Sequence, residues 1–138
     1  KGALPRAVID KEKFSLVLNN LLENAVRYNV ENGQVVVRIS ELKNQPFLQI
    51  SVEDTGIGIP EGGIEKLFTK FYRAENALKS QTEGSGLGLY IARNIIRAHG
   101  GKIWAESEVG RGTTIHFTLP TDPNLVPKHE AADLAGEN

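Results

Sequence analysis

The chain lacks cysteine and methionine altogether and has a single tryptophan among its 138 residues. Without cysteine it can form no disulfide bond, no reactive thiolate and no cysteine-ligated zinc site. Its apolar runs stay well short of the roughly 18 residues that a membrane-spanning helix needs, and no secretory signal opens the sequence. We therefore expect a soluble globular chain.

An excess of one charge is also lacking. Sixteen basic and 17 acidic residues leave a net charge of −1, so no general field attracts nucleic acid or anionic lipid. Any anion must then be bound by local groups. A length of 138 residues with 40% hydrophobic content fits one domain with a real core. Because the sequence starts at Lys1 and has no methionine, we expect it to be part of a longer protein.

Apolar periodicity predicts an α+β domain over residues 10–120. The predicted elements are a helix over 10–29, strands near 35–39 and 48–54, a weakly periodic stretch over 61–85 that ends in a long loop over 74–85, a helix over 86–99, and strands over 102–108 and 113–120. This order excludes strict βαβ alternation and favours helices on one face of a sheet. Residues 1–9 form an approach segment. Residues 121–138 have few apolar side chains, so we expect them to be largely disordered.

Each predicted helix has one apolar face. Asp10 is a suitable N-cap for the first helix. The predicted core-facing residues are Phe14, Leu18, Leu21, Leu22 and Ala25 in the first helix, and Leu87, Ile91, Ile95 and Ala98 in the second.

Spaced glycines stand where the second helix begins, in the stretch GSGLG over 84–88. Unpaired N–H groups and the positive end of the helix dipole favour an anion there, and Gly84, Gly86 and Gly88 would let a phosphate approach the backbone. A tight loop alone explains the same glycines equally well. The chain has neither GxxxxGK[ST] nor a GxGxxG motif in its usual setting, which disfavours both common nucleotide-binding folds.

The stretch DTGIGIP begins with Asp54 at the end of a predicted strand. An ionised carboxylate offers only acceptors, so Asp54 can bind an exocyclic amine such as that of adenine. Gly56 and Gly58 would leave room for a flat ring beside the backbone. The alternative is an Asx turn that ends the strand and binds nothing.

Two asparagines, Asn20 and Asn24, lie one turn apart on the first helix, with Arg27 close behind. A neutral amide oxygen suits magnesium when phosphates supply the negative charge, and arginine is a phosphate partner. Polar pairs on helices are more often a solvated face, but here the pair stands inside an apolar stripe, which favours a binding role.

Taken together, five stretches resemble the catalytic ATP-binding domain of bacterial sensor histidine kinases, in the GHKL superfamily. They are NNLLENAVRYN, DTGIGIP, LFTKFYRAE, GSGLGLYIARNIIRAHGG and GRGTTIHFTLP, in that order, within roughly residues 8–120. The resemblance implies a two-layer α/β sandwich of the Bergerat type. Its sheet would be mixed, with about five strands and three helices on one face.

The resemblance also implies a role for particular residues. Asn24 would be a magnesium ligand, Asn20 would line the triphosphate site, and Arg73 would reach the γ-phosphate, so that Asn20 and Arg73 are the catalytic candidates. The implied nucleotide-binding residues are Asn24, Arg27, Tyr28, Asp54, Gly56, Gly58, Phe68, Phe71, Gly84, Gly86, Leu87, Gly88 and Thr113. Residues 74–85 would form a lid, and core packing is an equally good explanation of Phe68 and Phe71.

The activity implied by the resemblance is phosphoryl transfer from ATP and Mg²⁺ to a histidine, in two-component signalling. The three histidines of the chain, His99, His116 and His129, lack the sequence setting of the family's acceptor. The acceptor would therefore stand on a dimerisation domain that this sequence lacks, and a response regulator would act downstream. The implied fragment is a monomeric cytoplasmic domain that does not bind nucleic acid, and the resemblance implies an inner-membrane sensor as its parent.

Two alternatives share the fold. A GHKL ATPase would carry a glutamate base where Asn20 stands, and Glu23 lies about 60° round the helix from that position. A binding module or serine kinase of the anti-sigma type is the other alternative.

Overall fold

The computed structural model describes residues 6–69 and 88–127. Its helices are α1 (Lys11–Arg27), α2 (Glu61–Ile64) and α3 (Gly88–Ala98), and its strands are β1 (Val35–Glu41), β2 (Phe47–Asp54), β3 (Ile103–Glu108) and β4 (Gly112–Pro120). A short 3₁₀ helix follows at Pro123–Leu125. None of the helices in these two ranges has the length and apolar character needed to cross a bilayer.

The four strands form one sheet in the order β1-β2-β4-β3, and each neighbouring pair is antiparallel. The predicted α+β class is confirmed. The resemblance implies a mixed sheet of about five strands. Residues 6–69 and 88–127 instead form four strands, and no two of them are parallel neighbours. The described part of the approach segment, residues 6–9, adds no strand: the Val8 N–H donates one backbone hydrogen bond, 3.0 Å long, to the Pro120 carbonyl.

Helix α1 begins where the sequence predicts. The Asp10 side chain accepts hydrogen bonds from the N–H groups of Glu12 (2.9 Å) and Lys13 (3.1 Å), which satisfies two of the donors that a helix start leaves unpaired. The helix ends at Arg27, two residues before the predicted end. Its fully buried residues are Val17, Leu21 and Ala25, with Phe14, Leu18 and Leu22 partly buried beside them.

The core lies between this helix, α3 and one face of the sheet. Alternate residues of the two central strands supply the sheet's share: Leu48, Ile50 and Val52 from β2, and Ile115, Phe117 and Leu119 from β4. These strands are central because they pair with each other and each also has an outer neighbour. The core is thus built on the period-2 alternation that the sequence shows.

The predicted apolar face of α3 is confirmed at Ile95 and wrong at Ile91, while Leu87 lies outside the described residues. The buried residues are Leu89, Ala92, Ile95 and Ile96, whereas Ile91 is 36% exposed. The sequence of α3 contains two overlapping apolar stripes, because large aliphatic residues occupy nearly every turn. Packing against α1 and the sheet selects the stripe through Ala92, whose small side chain suits close packing.

The region after β4 is ordered at first. The Thr121 N–H donates to the Pro46 carbonyl (2.8 Å), and the Asp122 side chain caps the 3₁₀ helix through the Asn124 N–H (2.9 Å). The prediction of disorder over 121–138 therefore does not hold for residues 121–127, and its remainder lies outside the described residues. The weakly periodic stretch over 61–85 begins with the one-turn helix α2, and the loop predicted over 74–85 lies outside the described residues.

Leu21→Ala should lower the free energy of unfolding by about 2–5 kcal/mol, because it removes a fully buried side chain between helix and sheet. Val26→Ala, on the same helix but 69% exposed, is the matched control and should change it by about 0.5 kcal/mol or less. Urea unfolding followed by circular dichroism measures both. Equal effects of the two changes would contradict the assigned face of α1.

Candidate functional site

Three polar side chains form a row across the sheet at one end. Asp54 on β2 stands opposite Thr113 on β4, and Thr113 stands opposite Ser107 on β3. Since side chains alternate along a strand, Asp54 and Thr113 share the face of Val52 and Ile115, which is the face that the helices cover. The row therefore lies at the edge of the core, not on the opposite face of the sheet.

The Asp54 carboxylate is held on one side only. Its Oδ1 atom accepts hydrogen bonds from the N–H groups of Gly56 (2.8 Å) and Thr113 (3.2 Å). Its Oδ2 atom receives no hydrogen bond from residues 6–69 or 88–127. The Asx turn considered from the sequence is thus present, and it fixes the carboxylate while leaving one oxygen available to a ligand.

Burial raises the pKa of Asp54 above its ordinary value. The hydrogen bonds from Gly56 and Thr113 lower the pKa and partly oppose this effect, and the neighbouring Glu53 charge raises it slightly. A half-buried carboxylate that is fixed in place and short of water is suited to accept a hydrogen bond from a ligand amine.

The loop after Asp54 is tied to two other parts of the fold. The Ile57 N–H donates to the Tyr28 carbonyl at the end of α1 (3.0 Å), and the Ile57 carbonyl accepts from the Gly110 N–H in the β3–β4 turn (2.9 Å). The Ile59 N–H donates to Ser107 Oγ (2.8 Å). These hydrogen bonds therefore fix the loop between the end of α1 and the β3–β4 hairpin.

The sequence suggested that Gly56 and Gly58 leave room for a flat ring, but the structure gives a different reason for these glycines. A Cβ atom at Gly56 would lie 2.2 Å from the Tyr28 carbonyl oxygen, and one at Gly58, where φ is +77°, would lie 2.2 Å from the Glu108 carbonyl oxygen. These positions face the protein's own backbone. The glycines let the loop pack closely against α1 and the hairpin, which places Asp54 indirectly.

Helix α1 contacts the start of α3 through Asn20 and the loop after Asp54 through Tyr28. The Asn20 Nδ2 atom donates a hydrogen bond to the Gly88 carbonyl, 3.1 Å away, across 68 positions of sequence. Asn24, one turn further on, is half-buried, and its side chain has no hydrogen bond within the described ranges. Tyr28, one more turn along, is the C-cap residue whose carbonyl binds the Asp54 loop. Asn20, Asn24 and Tyr28 therefore lie along one side of α1, between the start of α3 and the loop after Asp54.

The other predicted residues fall into three groups. Arg27 is exposed in the last turn of α1, close to this line, and Thr113 is buried beside Asp54. Phe68 is 8% exposed within the core, which supports the packing explanation for it. Phe71, Arg73, Gly84, Gly86 and Leu87 lie outside the described residues, as does the whole of the proposed lid over 74–85.

Sequence reasoning missed Ser107. This residue contacts the Asp54 loop, Thr113 and the Gly112 carbonyl, so it joins three parts of the site. Its position in IWAESE could have indicated it, because Ser107 follows Ile103 and Ala105 at every second residue and so shares their face. Both of those residues pack against the core. A hydroxyl in line with core residues needs internal partners.

A sequence model of the family described as "Histidine kinase-, DNA gyrase B-, and HSP90-like ATPase" matches residues 9–123. The chain belongs to this family. That membership confirms the resemblance of the five motifs to the GHKL superfamily.

Named relatives within the family are sensor kinases. Sensor histidine kinase WalK of Bacillus subtilis (strain 168) is 48% identical over 112 residues, which are 81% of this chain and 18% of that protein. Among solved structures, full-length ShkA in complex with AMPPNP has a TM-score of 0.72 at 29% identity, covering 85% of this chain and 23% of that one.

A further solved structure holds histidine kinase ThkA in complex with the response regulator protein TrrA. Its TM-score is 0.65 at 33% identity, covering 83% of this chain and 30% of that one. The chain thus spans less than a third of each of these three proteins.

Asp54→Asn should raise the free energy of unfolding at pH 7. Because the pKa of Asp54 is raised on folding, the stability that this group contributes is present at acid pH and is lost as the pH rises through the folded-state pKa. Asparagine carries no charge, and its Oδ1 can accept the same two N–H groups. The gain should shrink as the pH falls, which urea unfolding at several pH values measures.

Glu41→Gln is the control for that series, since Glu41 is exposed on β1 and its replacement should change stability by about 0.5 kcal/mol or less. A loss of stability in Asp54→Asn at pH 7 would show that the two amide hydrogen bonds outweigh burial of the charge.

Proposed function

We propose that this chain binds ATP with Mg²⁺ at the site around Asp54 and transfers the γ-phosphoryl group to a histidine on a separate dimerisation domain. The observation that carries the proposal is the Asp54 carboxylate, whose Oδ1 is fixed by two backbone N–H groups while Oδ2 stays available. Similarity to WalK and to ShkA in complex with AMPPNP supports it.

The base end of the nucleotide would lie against Asp54 and Thr113. Oδ2 would accept a hydrogen bond from the exocyclic amine of adenine, and Thr113 would contact the base directly or through water. Gly56 and Gly58 would contribute by holding the loop closely against α1 and the hairpin. A purine with a carbonyl in place of the amine would bring an acceptor toward an acceptor, so the site would reject it.

The phosphate end would lie beside α1 and the start of α3. Asn20 is bonded to the Gly88 carbonyl there, which fixes its side chain next to the helix start. The preceding glycines, Gly84 and Gly86, together with Leu87 would bring backbone N–H groups to the phosphates. Arg27 and Tyr28 would contact phosphate from the end of α1, and Arg73 would reach the γ-phosphate. Phe68 and Phe71 would pack beneath the lid.

Asn24 suits the proposed magnesium ion. Its side chain is half-buried and has no hydrogen-bond partner in the described part of the chain, so its amide oxygen is available. A neutral oxygen is an acceptable magnesium ligand where phosphates supply the charge. When bound there, the metal would neutralise phosphate charge. The chain's own contribution would be to orient the phosphates through Asn20 and to exclude water from the acceptor position.

The histidines within the described ranges are poor acceptors. His99 is buried, with Nδ1 bonded to the Ile95 carbonyl (2.8 Å) and Nε2 to the Asp10 N–H (3.1 Å). His116 has Nδ1 2.7 Å from Ser51 Oγ and Nε2 3.0 Å from Glu106. Since both nitrogens of each ring are engaged, an acceptor on another domain is the simpler arrangement.

Water activation in the manner of an ATPase is less well supported. The site has Asn20 where a glutamate base would stand, and Glu23 is exposed on α1. We further propose that the intact protein acts on a response regulator, as the ThkA complex with TrrA suggests, that this domain is monomeric and cytoplasmic, and that it has no nucleic-acid partner.

Asp54→Ala should weaken ADP binding by roughly 10- to 100-fold and abolish the preference for ATP over GTP, because it removes a charged acceptor from the base site. Isothermal titration calorimetry in Mg²⁺ measures both, with wild-type affinity expected in the micromolar range. Asp122→Asn, near the opposite end of β4, is the control and should bind as wild type does. Absence of nucleotide binding by the folded wild-type domain at millimolar ADP would refute the proposal.

Phosphoryl transfer should require a second domain. With labelled ATP and Mg²⁺, this chain alone should remain unlabelled, whereas mixing it with the dimerisation domain of a relative should label that domain's histidine. The same acceptor domain with its histidine changed to glutamine should stay unlabelled. Steady ATP hydrolysis without acceptor, together with no transfer, would favour the ATPase alternative instead.

A further inference from the structure

Ser107 occupies the centre of a hydrogen-bond cluster at the base end of the site. Its Oγ atom lies 2.9 Å from the Gly112 carbonyl oxygen, 2.7 Å from Thr113 Oγ1 and 2.8 Å from the Ile59 nitrogen. A serine hydroxyl has one proton to donate and two lone pairs with which to accept. Three partners therefore use its full capacity.

The direction of each hydrogen bond follows from this count. The Gly112 carbonyl can only accept, so the Ser107 proton points to it. The Ile59 N–H can only donate, so it occupies one lone pair of Ser107. The remaining lone pair faces Thr113, and the short Ser107–Thr113 contact is satisfied only if the Thr113 hydroxyl donates.

Thr113 then has no proton left for a ligand. Toward a ligand its hydroxyl can then act only as an acceptor. Thr113 is paired across the sheet with Asp54, which is also an acceptor and receives the Thr113 N–H on Oδ1. Two neighbouring acceptors match an exocyclic amine, which has two hydrogens to donate. They oppose a purine carbonyl at the same position.

We propose that Ser107 is a specificity-determining residue that acts through Thr113: by holding the Thr113 hydroxyl proton, it makes the site select 6-aminopurine nucleotides over 6-oxopurine nucleotides. This inference rests on the proposed function, because it needs a nucleotide base at Asp54. Ser107 is a positioning residue, since its own hydroxyl is saturated within the protein. Asp54 would contribute most of the binding free energy at the base, and Ser107 would increase the discrimination between 6-aminopurine and 6-oxopurine nucleotides.

The test compares ADP with inosine diphosphate, in which a carbonyl replaces the 6-amine and N1 carries a proton. In Ser107→Ala the Thr113 hydroxyl can rotate and donate to that carbonyl. The ratio of the two dissociation constants, measured by calorimetry with Mg²⁺, should fall by about tenfold. Ser107→Thr keeps the hydroxyl and should restore the ratio. A role in folding alone would weaken both ligands alike and leave the ratio unchanged.

Thr113→Val extends the test to the residue through which Ser107 acts, and it keeps the proposal testable if Ser107→Ala does not fold. It should also lower the ratio, and Ser107→Ala combined with Thr113→Val should lower it no further. A wild-type ratio retained in either single variant, or an additive effect in the double variant, overturns the inference while leaving the proposed function intact. Failure of the wild type to bind either nucleotide overturns both.

Discussion

The site depends on the pair of hydrogen bonds from the Gly56 and Thr113 N–H groups to one oxygen of Asp54. Each of these donors belongs to a different part of the fold: Gly56 to the loop after β2, and Thr113 to β4. The carboxylate therefore joins two neighbouring segments at the end of the sheet. A charged acceptor strengthens such bonds, and partial burial strengthens them again by removing competing water. The direction of the second oxygen follows from this constraint.

Much of the surrounding structure serves to keep those two donors in place. The loop can approach α1 and the hairpin only because Gly56 and Gly58 have no side chains where the Tyr28 and Glu108 carbonyl oxygens lie. Ser107 closes the arrangement from the third strand by accepting the Ile59 N–H. Since α1 also carries Asn20 to the start of α3, one helix contacts both that helix start and the loop after β2. A change at any of these contacts would reach the carboxylate through backbone movement.

The sequence predicted those features that depend on local chemistry. Asp10 could be recognised as an N-cap because a short acceptor preceding an amphipathic run has few other uses, and the central strands alternate plainly between apolar and polar residues. The face of α3 could not be predicted, since its two apolar stripes are equal until α1 and the sheet are packed against it. Ser107 was missed for a related reason: its partners come from three segments, and nothing within IWAESE identifies them. The reason for Gly56 and Gly58 likewise appears only when the distant carbonyls are in place.

The raised pKa of Asp54 shows how stability and binding oppose each other at this site. Withdrawing a carboxylate from water is unfavourable, and the two amide hydrogen bonds offset only part of that loss, so the folded chain is less stable with Asp54 ionised than with a neutral group there. A purely structural turn would have no need of the charge, because asparagine accepts the same hydrogen bonds. A partly dehydrated carboxylate oxygen is stabilised when a donor approaches it. The fixed acceptor at Oδ2 is therefore an argument for a ligand amine that is independent of the sequence motifs.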